Sequence, residues 1–167
     1  MMERELPVSG VVPIEEMEGC DDDETQRLRK MEATARNFLG RFKWCVDIRE
    51  LYFGDGIGDV VVVFLARITP TQPSIDEYLW IVVGDLPSAH LVTDDAHNPK
   101  EALEAYIWEM RKWVTLAKEG KSSRDVIPVN VPATPEWAER LQGRLDMLEQ
   151  KIIPDYFESP DDNIAGE

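Results

Sequence analysis

The chain has 167 residues, enough for one hydrophobic core and too few for two independent domains. Apolar residues make up 43% of it and charged residues 31%, which describes a globular chain and excludes a disordered one. The net charge of −15 belongs to the ends: residues 1–26 hold nine acids and one base, residues 155–167 hold five acids and no base, and the body between carries only −2.

Acidic tails of this kind keep a chain soluble and disfavour nucleic acid or an anionic membrane as partner. Their other reading is contact with a basic protein. The two cysteines, Cys20 and Cys45, carry no disulfide framework, and the N-terminus shows neither a basic nor an apolar leader segment. The longest apolar run, Val60 to Ala66, is far short of the roughly 20 residues that span a bilayer. A reducing, cytoplasmic setting is expected.

In chain order, residues 1–23 contain Pro7, Gly10, Pro13, Gly19 and the run Asp21-Asp22-Asp23. They read as an acidic tail, disordered or docked as an extended strap through Val11, Val12 and Ile14. The domain proper is expected over 24–154. A first helix begins near Asp23 or Thr25, with Leu28, Met31, Ala35, Phe38, Leu39 and Phe42 on one stripe. Its opposite face is basic through Arg27, Arg29, Lys30, Arg36 and Arg41, where the acidic tail could fold back. From Trp44 to Phe53 the period changes to two, which indicates a half-exposed strand. Gly54-Asp55-Gly56-Ile57-Gly58-Asp59 reads as a hairpin turn.

Val60 to Ile68 is a continuous β-branched run, hence a central strand covered on both faces. Tyr78–Val83 and Ala89–Thr93 complete a four-stranded antiparallel meander, since short loops favour pairing of sequential strands. Asn98-Pro99-Lys100-Glu101 then opens a long helix with a capping residue, a first-turn proline and a reach-back glutamate. Leu103, Tyr106, Ile107, Met110, Trp113, Val114 and Ala117 form its buried stripe, and it stops near Gly120. Val126 to Pro132 reads as an extended segment confined to an edge by its prolines. Thr134-Pro135-Glu136 opens a last helix with Trp137, Leu141, Leu145, Leu148 and Ile152 on one face; Pro154 ends it, and 155–167 is an acidic C-terminal tail. The fold class is therefore α+β, a four-stranded antiparallel meander with three helices in the order α-β-β-β-β-α-α. The helices can cover both sheet faces, or a homodimer can cover one; the pattern favours neither.

Motifs that carry chemistry are sparse. Gly120-Lys121-Ser122 resembles the end of a phosphate loop, but position 115 is Thr on a helix where the motif needs Gly after a strand. The Gly54–Asp59 loop joins two strands and lacks both the last Gly of a dinucleotide fingerprint and a run of calcium ligands. Neither cysteine lies in a nucleophile motif, and Asp47, Glu50, Asp85 and Glu109 are carboxylates with nothing in the sequence to bring them together. No cofactor is expected. The one constellation for a metal is His90, Asp94, Asp95 and His97, whose imidazoles and carboxylates suit zinc, iron or manganese. Alternate strand positions point to opposite faces, however, and the aspartates already serve a turn before a helix. Trp108 stands apart: it falls almost opposite the core stripe of its helix, among Glu104, Arg111 and Lys112. A large aromatic on a polar face is either covered or offered to a partner, and Trp and Arg dominate interface hot spots.

Two functions follow as expectations. The first is a non-enzymatic protein-binding module using Trp108, Glu104, Arg111, Lys112 and the acidic tails. It would resemble bacterial immunity proteins in size and charge, or act as an accessory subunit. The alternative is a metal-dependent or acid/base enzyme with its site near His90, Asp94, Asp95 and His97.

Overall fold

A computed structural model describes residues 6–121, 129 and 131–157. The first helix, α1 (Asp22–Leu39), starts one residue before the expected Asp23, because the Asp21 carboxylate accepts the Glu24 N–H at 2.8 Å. Asp22, Asp23 and Glu24 occupy the first turn, where negative charge complements the helix dipole. The aspartate run is thus a helix start.

The sheet has five antiparallel strands rather than four. Its extra member, β1 (Val12–Pro13), is part of the N-terminal strap and pairs with β2 (Cys45–Ile57), Val12 opposite Phe53 and Pro13 opposite Tyr52. A two-residue strand containing proline gives no periodic signal, and an edge is the one place in a sheet that accepts it. The strap continues through a 3-10 turn, Ile14–Glu16, and buries Ile14 and Met17. Arg29 on α1 donates to the backbone oxygens of Ile14 and Met17, so the basic helix face holds the strap by its carbonyls.

Beyond β2 lie β3 (Val61–Pro70), β4 (Tyr78–Gly84) and β5 (Ala89–Val92), each pairing with its predecessor. The expected turn at Gly54–Asp59 is shorter than its glycines suggest. Gly54 to Ile57 belongs to β2, and only Gly58, Asp59 and Val60 turn the chain, Asp59 taking φ 69°. Ladder shifts at Val46, Arg49 and Gly54 explain how thirteen residues of β2 match ten of β3. At the last of these a Cβ would lie 2.8 Å from both Pro99 Cγ and Val63 O, so Gly54 allows the start of the long helix to press on the sheet.

That helix, α2 (Pro99–Lys118), begins as expected: Asn98 Oδ1 accepts the Glu101 N–H at 2.9 Å. Together with α3 (Pro135–Met147), capped by Thr134, it covers one sheet face. Tyr106, Met110 and Leu145 pack there with Val63, Leu65, Trp80 and Val82. On the other face Leu28, Ala35 and Leu39 of α1 meet Val62, Phe64, Ala66, Ile68 and Ile81. Alternation along β3 and β4 thus feeds two cores. Each buried Leu, Ile, Phe or Val contributes about 1.5–3 kcal/mol, and the chain's own helices cover both faces.

The last helix does not stop at Pro154. A π turn, Leu148–Ile152, follows α3, and a short α4 (Ile153–Tyr156) then carries Pro154 in its first turn, where no N–H is required. The continuation brings Phe157 into the core at 1% exposure. No helix among the described residues is long and apolar enough to cross a membrane.

A cleft beside the last strand of the sheet

The strand order leaves β1 at one edge and β5 at the other. Beside Ser88, Ala89 and His90 at the start of β5 lies a cleft of about 690 Å³, within the ordinary size range of ligand sites. The end of α1 builds one wall with Phe38, Arg41 and Phe42. Trp113 of α2 and Trp137, Arg140, Leu141 and Arg144 of α3 build the other, with Val129 and Val131 beside them. The cleft therefore straddles the sheet edge, one wall belonging to each face.

Its floor is the β4–β5 turn, which is firmly held. Gly84 allows the chain to pass against Val60 O, 2.2 Å from where a Cβ would stand. Tyr106, whose hydroxyl is kept protonated by burial, donates to Pro87 O at 2.6 Å. Arg144 grips the same turn from α3, donating to Asp85 O at 2.6 Å and to Asp85 Oδ2 at 3.0 Å. The other two arginines are not committed in this way. Arg140 stacks over Trp137 at 5.1 Å, and among the described residues neither Arg140 nor Arg41 has a carboxylate partner. A locally cationic, largely aromatic cleft thus opens in a chain of net charge −15.

His90 forms part of the α1-side wall. Because β5 alternates, Ala89 and Leu91 face α2 while the His90 ring packs 5.0 Å from Trp44, 5.2 Å from Phe42 and 6.1 Å from Phe38. Burial among these rings lowers its pKa, favouring the neutral imidazole.

The four residues with metal-ligand chemistry are not gathered. His90 sits in the aromatic cluster, Asp94 and Asp95 are exposed in the turn, and His97 pairs with Glu101 at 3.3 Å. Among the described residues no group of three or more His, Cys, Asp or Glu side chains is arranged to hold a metal ion. The turn instead serves as a tie: Ala96 O accepts from Trp80 Nε1 at 2.9 Å, and His97 O accepts from Ser9 N at 2.8 Å. Cys45 is buried, and burial, then the charge of Asp47, raises its pKa, which favours an unreactive thiol.

Trp108 is 66% exposed, with Lys112 Nζ 5.5 Å from its ring centre. Its neighbours are already engaged: Arg111 bridges to Asp146 and Glu149 at 3.1 Å each, and Lys112 pairs with Glu109. Glu104 is exposed on the same helix. The cleft residues Trp137, Arg140 and Arg144 carried no expectation of binding, and Arg41 was expected only to offer a basic face to the acidic tail. Trp137, placed by spacing on the inward face, is 38% exposed because it stands at the cleft mouth. Its one legible signal was an aromatic with arginines three and seven positions later, the first of which can stack on the ring. The extended segment expected over 126–132 lies mostly outside the described residues; Val129 and Val131, which border the cleft, are described.

By architecture this is an α+β chain with a five-stranded meander between one helix and a helical pair. No family model matches it, and no curated protein or solved structure matches it either.

Proposed function

We propose that the chain is a non-enzymatic protein-binding module, of immunity-protein or accessory-subunit type, whose principal binding site is the cleft beside β5. One observation carries this reading: apolar walls of Phe38, Phe42, Trp113, Trp137 and Leu141 are rimmed by Arg41 and Arg140, neither with a carboxylate partner among the described residues. Aromatic anchors with arginine are the composition of interface hot spots. The cleft suits an apolar ligand bearing negative charge. The acidic tails face the opposite demand and suit basic surface elsewhere on the same partner.

The test uses anilinonaphthalene sulfonate, a fluorescent aromatic anion. One dye per chain is expected to bind with enhanced emission, and Arg41→Glu together with Arg140→Glu is expected to weaken it at least tenfold. The thermal midpoint should hold, since neither guanidinium has an ion pair to lose among the described residues. Binding that is absent, or indifferent to both reversals, removes the cleft as the site.

A further inference from the structure

The cleft is bounded by backbone as well as by side chains, and this narrows the kind of partner. In an antiparallel sheet the N–H and C=O groups of alternate residues on an edge strand point away from the sheet. At the β2 side that edge is filled by β1, a segment of the chain itself. At the β5 side no strand follows among the described residues, and none of those residues is a backbone partner of Ala89, His90 or Leu91 beyond the β4 pairing. This edge of β5, open among the described residues, begins where the cleft lies.

The geometry points to an extended segment of a partner chain, apolar in its middle and acidic at its flanks, that adds to β5 as a sixth strand; this rests on the cleft being the binding site. A strand sends successive side chains to opposite faces of its sheet. Beside β5, one set would meet Phe38 and Phe42 of α1, and the other Trp137 and Leu141 of α3. Each wall also carries an arginine without a carboxylate partner among the described residues, Arg41 on one side and Arg140 on the other. Both registers of an added strand therefore find apolar contact with a cation at its rim. Hydrogen bonds to the edge supply affinity and the two walls supply selectivity, the division seen in strand-addition recognition.

Charge decides between occupants. Two copies paired through their β5 edges would bring two arginine-rimmed clefts together, which like charges oppose. The chain's own C-terminal residues 158–167 contain one large apolar residue, Ile164, and include Pro160, a composition that does not fill two apolar walls. A partner segment with acidic flanks meets neither objection.

The experiment titrates the full chain with a blocked peptide of four apolar residues, Val-Phe-Val-Leu, flanked on each side by two aspartates. Companion peptides replace the aspartates by lysines or carry N-methyl groups on one or the other alternate set of core amides. The expected result is micromolar binding that displaces the dye, slowed amide exchange at residues 89–92, and at least tenfold loss in one N-methylated series only. Tenfold loss is also expected for the lysine-flanked peptide. Equal binding by both N-methylated series overturns strand addition, and equal binding by the lysine-flanked peptide overturns the acidic specificity. A peptide that fails while the dye still binds sinks the sixth strand and leaves the cleft standing; failure of both removes the two together. Protection at 89–92 in the absence of peptide overturns the proposal: it places a second copy on the edge if the mass doubles with concentration, and the chain's own extended segment around Val129 and Val131 there if it does not.

Discussion

Asp55 sits near the end of β2 with its carboxylate half-buried beside the Gly56 N–H, which it accepts at 2.8 Å. Burial raises its pKa, and the Gly56 bond only partly opposes this. Because the folded value lies above the unfolded one, the folded state binds the proton more tightly. At neutral pH, above the unfolded value, Asp55 therefore weakens the fold, because burial disfavours its charged form. As the pH falls through the folded value the penalty fades, and below the unfolded value it is gone. Asp55→Asn keeps an oxygen for Gly56 and removes the charge. It is expected to raise the thermal midpoint at neutral pH and to give no gain below about pH 3, where carboxylates are largely protonated in both states. Equal gains at both pH values would assign the effect to something other than the charge. His90 shifts the other way, its pKa lowered by burial. Its neutral ring favours the fold above the unfolded value of about 6.5, and that stability is lost as pH falls towards the folded value. His90→Phe should flatten this acid limb in urea titrations between neutral pH and about pH 5; an unchanged slope would place the sensitivity elsewhere.

The elements show which sequence signals were sufficient. Caps gave Asn98 and Thr134 as helix starts because a short polar side chain followed by proline is a local event, complete within four residues. The β-branched run gave β3 because a strand covered on both faces has no polar side to hide its period. The strap was different. It is held by Arg29, which donates to Ile14 O fifteen residues away, and its ladder residues Val12 and Pro13 by the edge of β2, about forty residues away in sequence, and neither contact leaves a local pattern. The cleft was hidden for the same reason: α1, β5, α2 and α3 each contribute, and spacing within one helix assigned Trp137 to the core. If the strap is part of the fold, its buried Met17 should behave as a core residue. Met17→Ala is expected to cost about 2–4 kcal/mol, read as a lower urea midpoint with an unchanged slope. A cost below about 0.5 kcal/mol, the range of ordinary surface changes, would show a strap lying on the surface rather than belonging to the core.

At the scale of the molecule two surfaces are available to a partner, and they lie on different sides of α2. Trp113 borders the cleft, whereas Trp108 stands exposed, five positions earlier and about 140° away around the helix axis. Both sheet faces are already covered by the chain's own helices, so a partner must work through an edge, a helix surface or the charged tails. Whether Trp108 belongs to the cleft's function is a question of coupling. Sites that share no partners contribute additively, within about 0.5 kcal/mol. Trp108→Ala is therefore expected to leave dye and acidic-peptide affinity at the cleft unchanged, and to shift the thermal midpoint little, because the ring is exposed. Trp137→Ala should weaken both ligands, since it removes part of the wall and the platform for Arg140. The double variant should then match Trp137→Ala alone in peptide titrations. A tenfold loss from Trp108→Ala would instead join the two aromatics into one extended surface wrapping α2, and the cleft would be only its deepest part.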